Sequence, residues 1–424
     1  MSELNFSPGD QVRLRLALEE LDGTILETPD SSIVLFKLSS GYNIGVPKEN
    51  ILASRVLKKY QQEEKKESKI IQDAKLPSIA LVITGGTIAS KLDPKTGGVK
   101  PLTEVSEFLS FYPELTKIAN IKKIEVPFMI ASESLNIENW AKLAETIKPL
   151  LEDEQIKGII ITHGTDTLHY ASAAISFFIQ NPNKPIIFTY SQRSIDRASS
   201  DANLNLKCAA RFAISDVGEV VVVGHAGTDD DFCYAHRGTK VRKMHSSRRD
   251  AFKSINASPI AKVWPDKIEF LSEYKSKQKN KPIVDITFTD KVALLKYYPG
   301  QESDILDYYA LKHKGIVIEG TGFGHLPTSE TINNWLPKLK KHIRNGFVVC
   351  ITTQCISGRT NPLIYSNGRE LEECGVIFLE DMHSETALMK LSFILGHYGS
   401  KILAKDKMLE NLAGEFNERL QIDM

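Results

Sequence analysis

The chain has 424 residues, 42% hydrophobic and 25% charged, the balance of a soluble globular protein rather than a disordered or fibrous one. That length exceeds what one ordinary core serves, so two or three domains are expected. Lys+Arg and Asp+Glu each number 53, which excludes a chain-wide nucleic-acid or membrane-surface binder but not a local basic site.

Residues 1–57 stand apart from the rest of the chain. Pro8-Gly9-Asp10 makes a turn, Gln11 to Leu16 alternates polar and apolar, and the alternation resumes at Thr24–Leu26, Ser32–Leu38 and Gly41–Val46. Short period-two runs between Gly, Pro and Asp turns predict an SH3-like β-barrel. Residues 58–76, including the polar run KKYQQEEKKESK, read as a linker.

From 77 to 268, buried strand-like runs alternate with amphipathic segments. Strands are expected at Ile79–Thr84, Ile124–Ile130, Gly158–Thr162, Pro185–Tyr190 and Glu219–Gly224, with helices at 103–118, 136–152, 166–181 and 201–215. This order predicts a parallel sheet covered on both faces. A charged stretch at 269–282 reads as a second linker. A smaller α/β unit at 283–424 has expected strands Val284–Phe288, Gly315–Glu319, Phe347–Thr352 and Val376–Phe378, and helices at 302–314, 328–344, 384–398 and 404–414.

Two turns draw the chemistry together. Thr84-Gly85-Gly86-Thr87-Ile88 and Thr162-His163-Gly164-Thr165-Asp166-Thr167 each follow an apolar strand and present a threonine beside glycine. Strand-end turns of open parallel sheets are where ligands bind. A threonine hydroxyl needs a base to act as a nucleophile. Asp166 is adjacent, and Lys243 lies in a segment too charged for a core, beside Arg242. A partly desolvated lysine, or one beside another cation, can serve as that base. The same residues also suit plain duties: Thr87, Thr165 and Asp166 as helix caps, Lys243 as a solvated charge. Gly97-Gly98 suits a hinge within a loop at 90–102.

Phosphate-loop, dinucleotide, HExxH and Gly-x-Ser-x-Gly patterns are missing from the sequence, so neither a nucleotide nor a metal site is expected on this chain. Five cysteines without a CxxC pair read as reduced thiols. The N-terminus lacks an apolar signal core, and no run nears the roughly 18 apolar residues of a membrane span. The cytoplasm and no membrane partner are the expectation.

In combination and order, the two threonine strings resemble the signatures of the asparaginase/glutaminase family, and the likeness runs over about residues 77–420. The resemblance implies an asparaginase-like two-domain open parallel-sheet α/β core behind the N-terminal barrel. It implies Thr87 as the acylated nucleophile, Thr165, Asp166 and Lys243 as the triad that activates it, and Ser132 and Glu133 as substrate-binding residues. His225 and His325 stand where bacterial asparaginases tend to have asparagine.

Pro8-Gly9-Asp10, Lys37-Leu38-Ser39-Ser40-Gly41-Tyr42-Asn43 and the stretch from Ala235 to Phe252 are similar to one branch of that family, the D subunits of archaeal glutamyl-tRNA(Gln) amidotransferases. That likeness implies hydrolysis of glutamine or asparagine and delivery of ammonia to an E subunit. The E subunit would hold ATP and Mg2+ and amidate Glu-tRNA(Gln). It also implies a homodimer within a heterotetramer and no cofactor on this chain. A stand-alone asparaginase/glutaminase with an unrelated N-terminal module remains the alternative, as does a silent scaffold.

Overall fold

The computed structural model describes residues 5–60, 73–86, 88, 90–92, 99–101, 105–193, 195, 199–278, 281–329, 333–398 and 401–419. The first unit is a five-stranded antiparallel sheet of β1 (Gln11–Arg15), β2 (Glu20–Leu26), β3 (Ile33–Leu38), β4 (Asn43–Pro47) and β5 (Ala53–Lys58), in the order β4-β3-β2-β1-β5. Alternate residues Val12, Leu14, Val34 and Phe36 fill its core with Ile25 and Val46, as period two requires. Strand β5 was not expected. No residue of it is fully buried, so the apolar contrast that marks the other strands fades there.

The large domain follows with β6 (Ser78–Ile83), the hairpin arms β7 (Ser90–Leu92) and β8 (Val99–Pro101), α1 (Val105–Phe111), β9 (Asn120–Glu125), α2 (Ile137–Glu152), β10 (Ile156–Thr162), α3 (Leu168–Phe178), β11 (Ile179–Gln180), β12 (Ile186–Thr189), α4 (Ala202–Ala213) and β13 (Val220–His225). The hinge expected at Gly97-Gly98 lies outside the described residues. Five strands run parallel in the order β9-β6-β10-β12-β13. The sheet then continues antiparallel through β14 (Cys233–Arg237), β17 (Ala261–Val263) and β18 (Ile268–Phe270), with the separate hairpin β15 (Val241–Lys243) and β16 (Phe252–Ser254) between. The sheet is therefore mixed, not wholly parallel as expected. Its antiparallel strands are three to five residues long, too short to stand out in the sequence.

Alternation along the central strands divides two cores. Ala80, Val82, Ile159 and Ile161 face α2 and α3, while Ile79, Leu81, Ile83 and Ile160 face the α1 and α4 side. Helix α2 starts at a capping box in which Asn136 and Asn139 exchange side chain and backbone N–H.

The small domain comprises β19 (Ile283–Val284), β20 (Val292–Lys296), α5 (Ile305–Lys312), β21 (Gly315–Gly320), α6 (Leu336–Arg344), β22 (Val348–Thr353), α7 (Ser366–Glu373), β23 (Ile377–Phe378), α8 (Ser384–His397) and α9 (Lys401–Leu409). Its parallel sheet runs β20-β21-β22-β23. Two expected strands move. Val284–Phe288 is not a strand of the small domain's parallel sheet; only Ile283–Val284 is extended and pairs with β11, and β20 takes the place beside β21. Ile124–Ile130 gives way to Asn120–Glu125, because Pro127 cannot donate to a ladder. Helices α3 and α8 pack across the domain junction, with the Phe177 and Phe393 rings stacked at 6.4 Å.

Candidate active site

Strand order sets the site. The chain leaves β6 outward to β9, then returns on the other side of β6 to begin β10, so the direction of winding reverses between β6 and β10. Crevices at such a reversal, beyond the carboxyl ends of the strands, are where open α/β sheets bind ligands. Both threonine turns sit there. The Thr84 backbone N–H and hydroxyl both donate to the Thr162 carbonyl, at 3.1 and 2.8 Å, lashing one turn to the other.

Glycine is required by the closeness of that approach. Gly86 adopts φ +81°, and a Cβ on it would stand 2.9 Å from the His163 carbonyl oxygen. Gly164 is equally confined, since a Cβ would stand 2.7 Å from the Ser132 hydroxyl oxygen. Thr87 itself lies outside the described residues.

Thr165, Asp166 and Lys243 are brought together from 78 residues apart. The Lys243 Nζ donates to Thr165 Oγ1 at 2.9 Å and to Asp166 Oδ1 at 2.8 Å. The lysine side chain is only 11% exposed while that of Asp166 is 60% exposed, so the amine is sheltered and the carboxylate is open to a ligand. Capping does not account for this turn. Helix α3 is preceded by Thr167, which makes no side-chain cap bond and instead donates its hydroxyl to the Ser132 carbonyl at 2.6 Å.

Ser132 is buried against the same turn and accepts the Asp166 backbone N–H at 3.2 Å. With its oxygen so engaged, its hydroxyl proton is still available to donate to an anion. Glu133 follows it, exposed, on the short turn Ser132–Ser134.

Four histidines are held by burial or by their contacts. Burial pushes His163 down to about 4, against the opposing effect of its bond to the Gly164 carbonyl. Burial likewise takes His169 to about 4. His225 is tied to Asn205 and Asp230 at 2.5 and 3.0 Å, a bracing role at the end of β13. His325, in the loop after β21, sets its ring edge-on to Tyr365, 5.2 Å away.

A neutral amine at the Lys243 position can take a proton from Thr165 Oγ1, within the reach a general base needs. A second threonine relayed through Thr165 would thereby be activated for acyl transfer. The link from Arg242 to Glu385 beside this site was not foreseen, since nothing in either local sequence announces a partner 143 residues away.

Comparison with known proteins bears on the family and the fold. The family described as "Asparaginase, N-terminal" matches residues 78–276, "Glutaminase/Asparaginase C-terminal domain" matches 291–406, and "GatD N-terminal domain" matches 6–57. The thermostable L-asparaginase from Thermococcus kodakarensis superposes with a TM-score of 0.72 at 31% identity, over 81% of this chain and 100% of that one. L-asparaginase I from Vibrio cholerae gives 0.69 at 27% identity, over 81% and 99%. Fold and site together define an amidohydrolase of the asparaginase type.

The D subunit of the glutamyl-tRNA(Gln) amidotransferase of Thermococcus kodakarensis is 45% identical over 98% of this chain and 96% of its own length. Its counterpart in Pyrococcus furiosus is 44% identical, over 96% and 94%, and the one in Methanococcus maripaludis strain S2 is 42% identical, over 98% and 99%. The chain belongs to the family of glutamyl-tRNA(Gln) amidotransferase D subunits.

Proposed function

We propose that this chain hydrolyses the side-chain amide of glutamine, or of asparagine, and supplies the ammonia to a partner subunit that converts Glu-tRNA(Gln) to Gln-tRNA(Gln) with ATP. The observation that carries this most is the Lys243–Thr165–Asp166 contact at the winding reversal, in a chain that also bears the GatD N-terminal domain. Free L-asparaginases match 81% of the chain, whereas D subunits match nearly all of it, which favours the ammonia supplier over the stand-alone enzyme.

In this mechanism Lys243 draws the proton from Thr165, and Thr165 draws that of Thr87. The Thr87 oxygen attacks the amide carbon, the C–N bond breaks with proton return to the leaving nitrogen, and water then hydrolyses the ester. Asp166 and Glu133 receive the substrate ammonium and Ser132 its carboxylate. Backbone N–H groups of the glycine turns hold the developing oxyanion. ATP and Mg2+ belong to the partner E subunit, and the assembly is a homodimer of this chain within a heterotetramer acting in the cytoplasm. The N-terminal unit runs through Lys58, the end of β5, and the catalytic domain through Phe270, the end of β18, one and two residues past the expected bounds of 57 and 268, so the linkers expected at 58–76 and 269–282 start later; the small domain follows from Ile283.

The test is co-expression with an E subunit. Co-purification, and ammonia release from glutamine that rises when Glu-tRNA(Gln) and ATP are added, are expected. Release that is unchanged by all three additions would favour the stand-alone enzyme.

A further inference from the structure

Strand β15 belongs to a two-stranded hairpin outside both large sheets, so backbone pairing alone does not tie it to the site. Its side chains do. Successive residues of a strand point to opposite sides, and here the alternation divides the work. Val241 enters the core and Lys243 reaches Thr165 and Asp166. On the other side, Lys240 and Arg242 both grip the small domain. Lys240 Nζ donates to Asp381 Oδ2 at 2.6 Å, both side chains fully buried, and Arg242 Nε stands 2.9 Å from Glu385 Oε1.

Glu385 is held as a fixed anchor. It lies in the first turn of α8, where the helix dipole favours a carboxylate. His383 Nδ1 meets its second oxygen at 3.1 Å, and His169 Nε2 approaches the first at 3.9 Å. His169 sits on α3, the helix that opens directly after Thr165, Asp166 and Thr167. Although burial opposes ionisation, the hydrogen bond from His383 and the positive charge of Arg242 bring the Glu385 carboxyl down to about 2. It is an anion throughout the working range, and it touches both elements that must meet for the triad to form.

We propose that Glu385 is a positioning residue for the hydrolytic site: acting from the small domain through Arg242, it fixes the strand that aims Lys243 at Thr165. The proposal rests on the catalytic reading of Lys243. Loss of the carboxylate frees Arg242 and lets β15 shift along its hairpin, lengthening a 2.9 Å contact on which proton transfer depends. Misplacement on the order of 1 Å costs about 100-fold in rate. The lysine that does the chemistry is thereby set by the other domain.

The experiment compares Glu385→Gln, Glu385→Asp, Arg242→Gln, the Glu385→Gln/Arg242→Gln double variant and Lys243→Ala in the full chain with its partner subunit. Steady-state ammonia release from glutamine is read at a temperature below every unfolding midpoint. Glu385→Gln should lower kcat about 10- to 100-fold with KM within about twofold, and Glu385→Asp should restore part of it. The double variant should be no slower than the slower single one, since both substitutions break one link. Unchanged kcat in Glu385→Gln, a loss confined to KM, or losses that multiply in the double variant would each overturn the proposal. If Glu385→Gln does not fold, Arg242→Gln decides alone, and undiminished kcat there overturns it. Full activity in Lys243→Ala instead sinks the catalytic reading itself, which keeps the two failures apart.

Discussion

Replacing Lys243 with methionine removes the amine while keeping most of the apolar stem, and the structure sets the size of the effect. The Nζ atom lies 2.9 Å from Thr165 Oγ1 and 2.8 Å from Asp166 Oδ1, so the substitution deletes the base and both of its contacts. A positioned general base contributes about 100- to 10,000-fold, equivalent to roughly 3 to 5 kcal/mol of barrier. The stability effect should be far smaller. Asp166 is 60% exposed, so the ion pair is partly in water and worth about 0–1 kcal/mol. Lys243→Met should therefore cut kcat for ammonia release by at least about 100-fold, with a thermal unfolding midpoint within a few degrees of the parent. Coupled glutamate dehydrogenase assays and differential scanning calorimetry read the two quantities. Near-parental kcat in a folded Lys243→Met protein would refute the assignment of the base.

Three further outcomes follow from the same structure. Gly86→Ala should lower kcat/KM about 100-fold and cost roughly 1–2 kcal/mol, because a Cβ at φ +81° presses on the His163 carbonyl from 2.9 Å; kinetics and urea melts of the purified variant check both. Burial holds His163 and His169 near 4 and His236 near 3, below the free imidazole value of 6.5. The unfolded chain thus binds more protons than the folded one, so stability is full above pH 6.5 and falls on acidification toward 4; unfolding midpoints at pH 7, 6 and 5 should decline in order, and a flat profile would contradict it. Glu415→Gln leaves Lys390 buried without its carboxylate, whose oxygen stands 2.7 Å away with both side chains fully buried; a loss of about 3–5 kcal/mol is expected by denaturant titration.

How far the sequence reached can be seen strand by strand. Ile79–Thr84 and Gly158–Thr162 were legible because short apolar runs rich in Ile and Val, each ending at a glycine-containing turn, fit buried strands, and β6 and β10 fall within two residues of those bounds. Strand β9 was misplaced because, at the sheet edge, it exposes Lys122 and Lys123 and so looks polar. Of Val284–Phe288 only Val284 enters a ladder, with Ile179 of β11; Ile286 and Phe288 pack on the core without pairing, a distinction that composition does not encode.

At the site, the glycine turns announced close backbone approach, and the structure brings Ser132 to the second of them through Asp166 N–H. Lys243 was different. As one cation in a charged segment it was a candidate base that could equally be solvated, and the resemblance favoured it before the fold joined it to Thr165. Arg242 and Glu385 left no local trace, because their pairing depends on how two domains pack.

Transfer of the amide nitrogen freed by this chain to tRNA-bound glutamine is tested most directly by isotope labelling. The chain and its E subunit are supplied with Glu-tRNA(Gln), ATP, Mg2+ and glutamine carrying 15N in its side-chain amide, and the amino acid recovered from the tRNA is weighed by mass spectrometry. Labelled glutamine is expected on the tRNA, with the label lost in Thr87→Val and Lys243→Met proteins and restored in them when 15N-ammonium is added. Labelled ammonia released into solution with none on the tRNA, or labelling undiminished in both variants, would contradict this transfer.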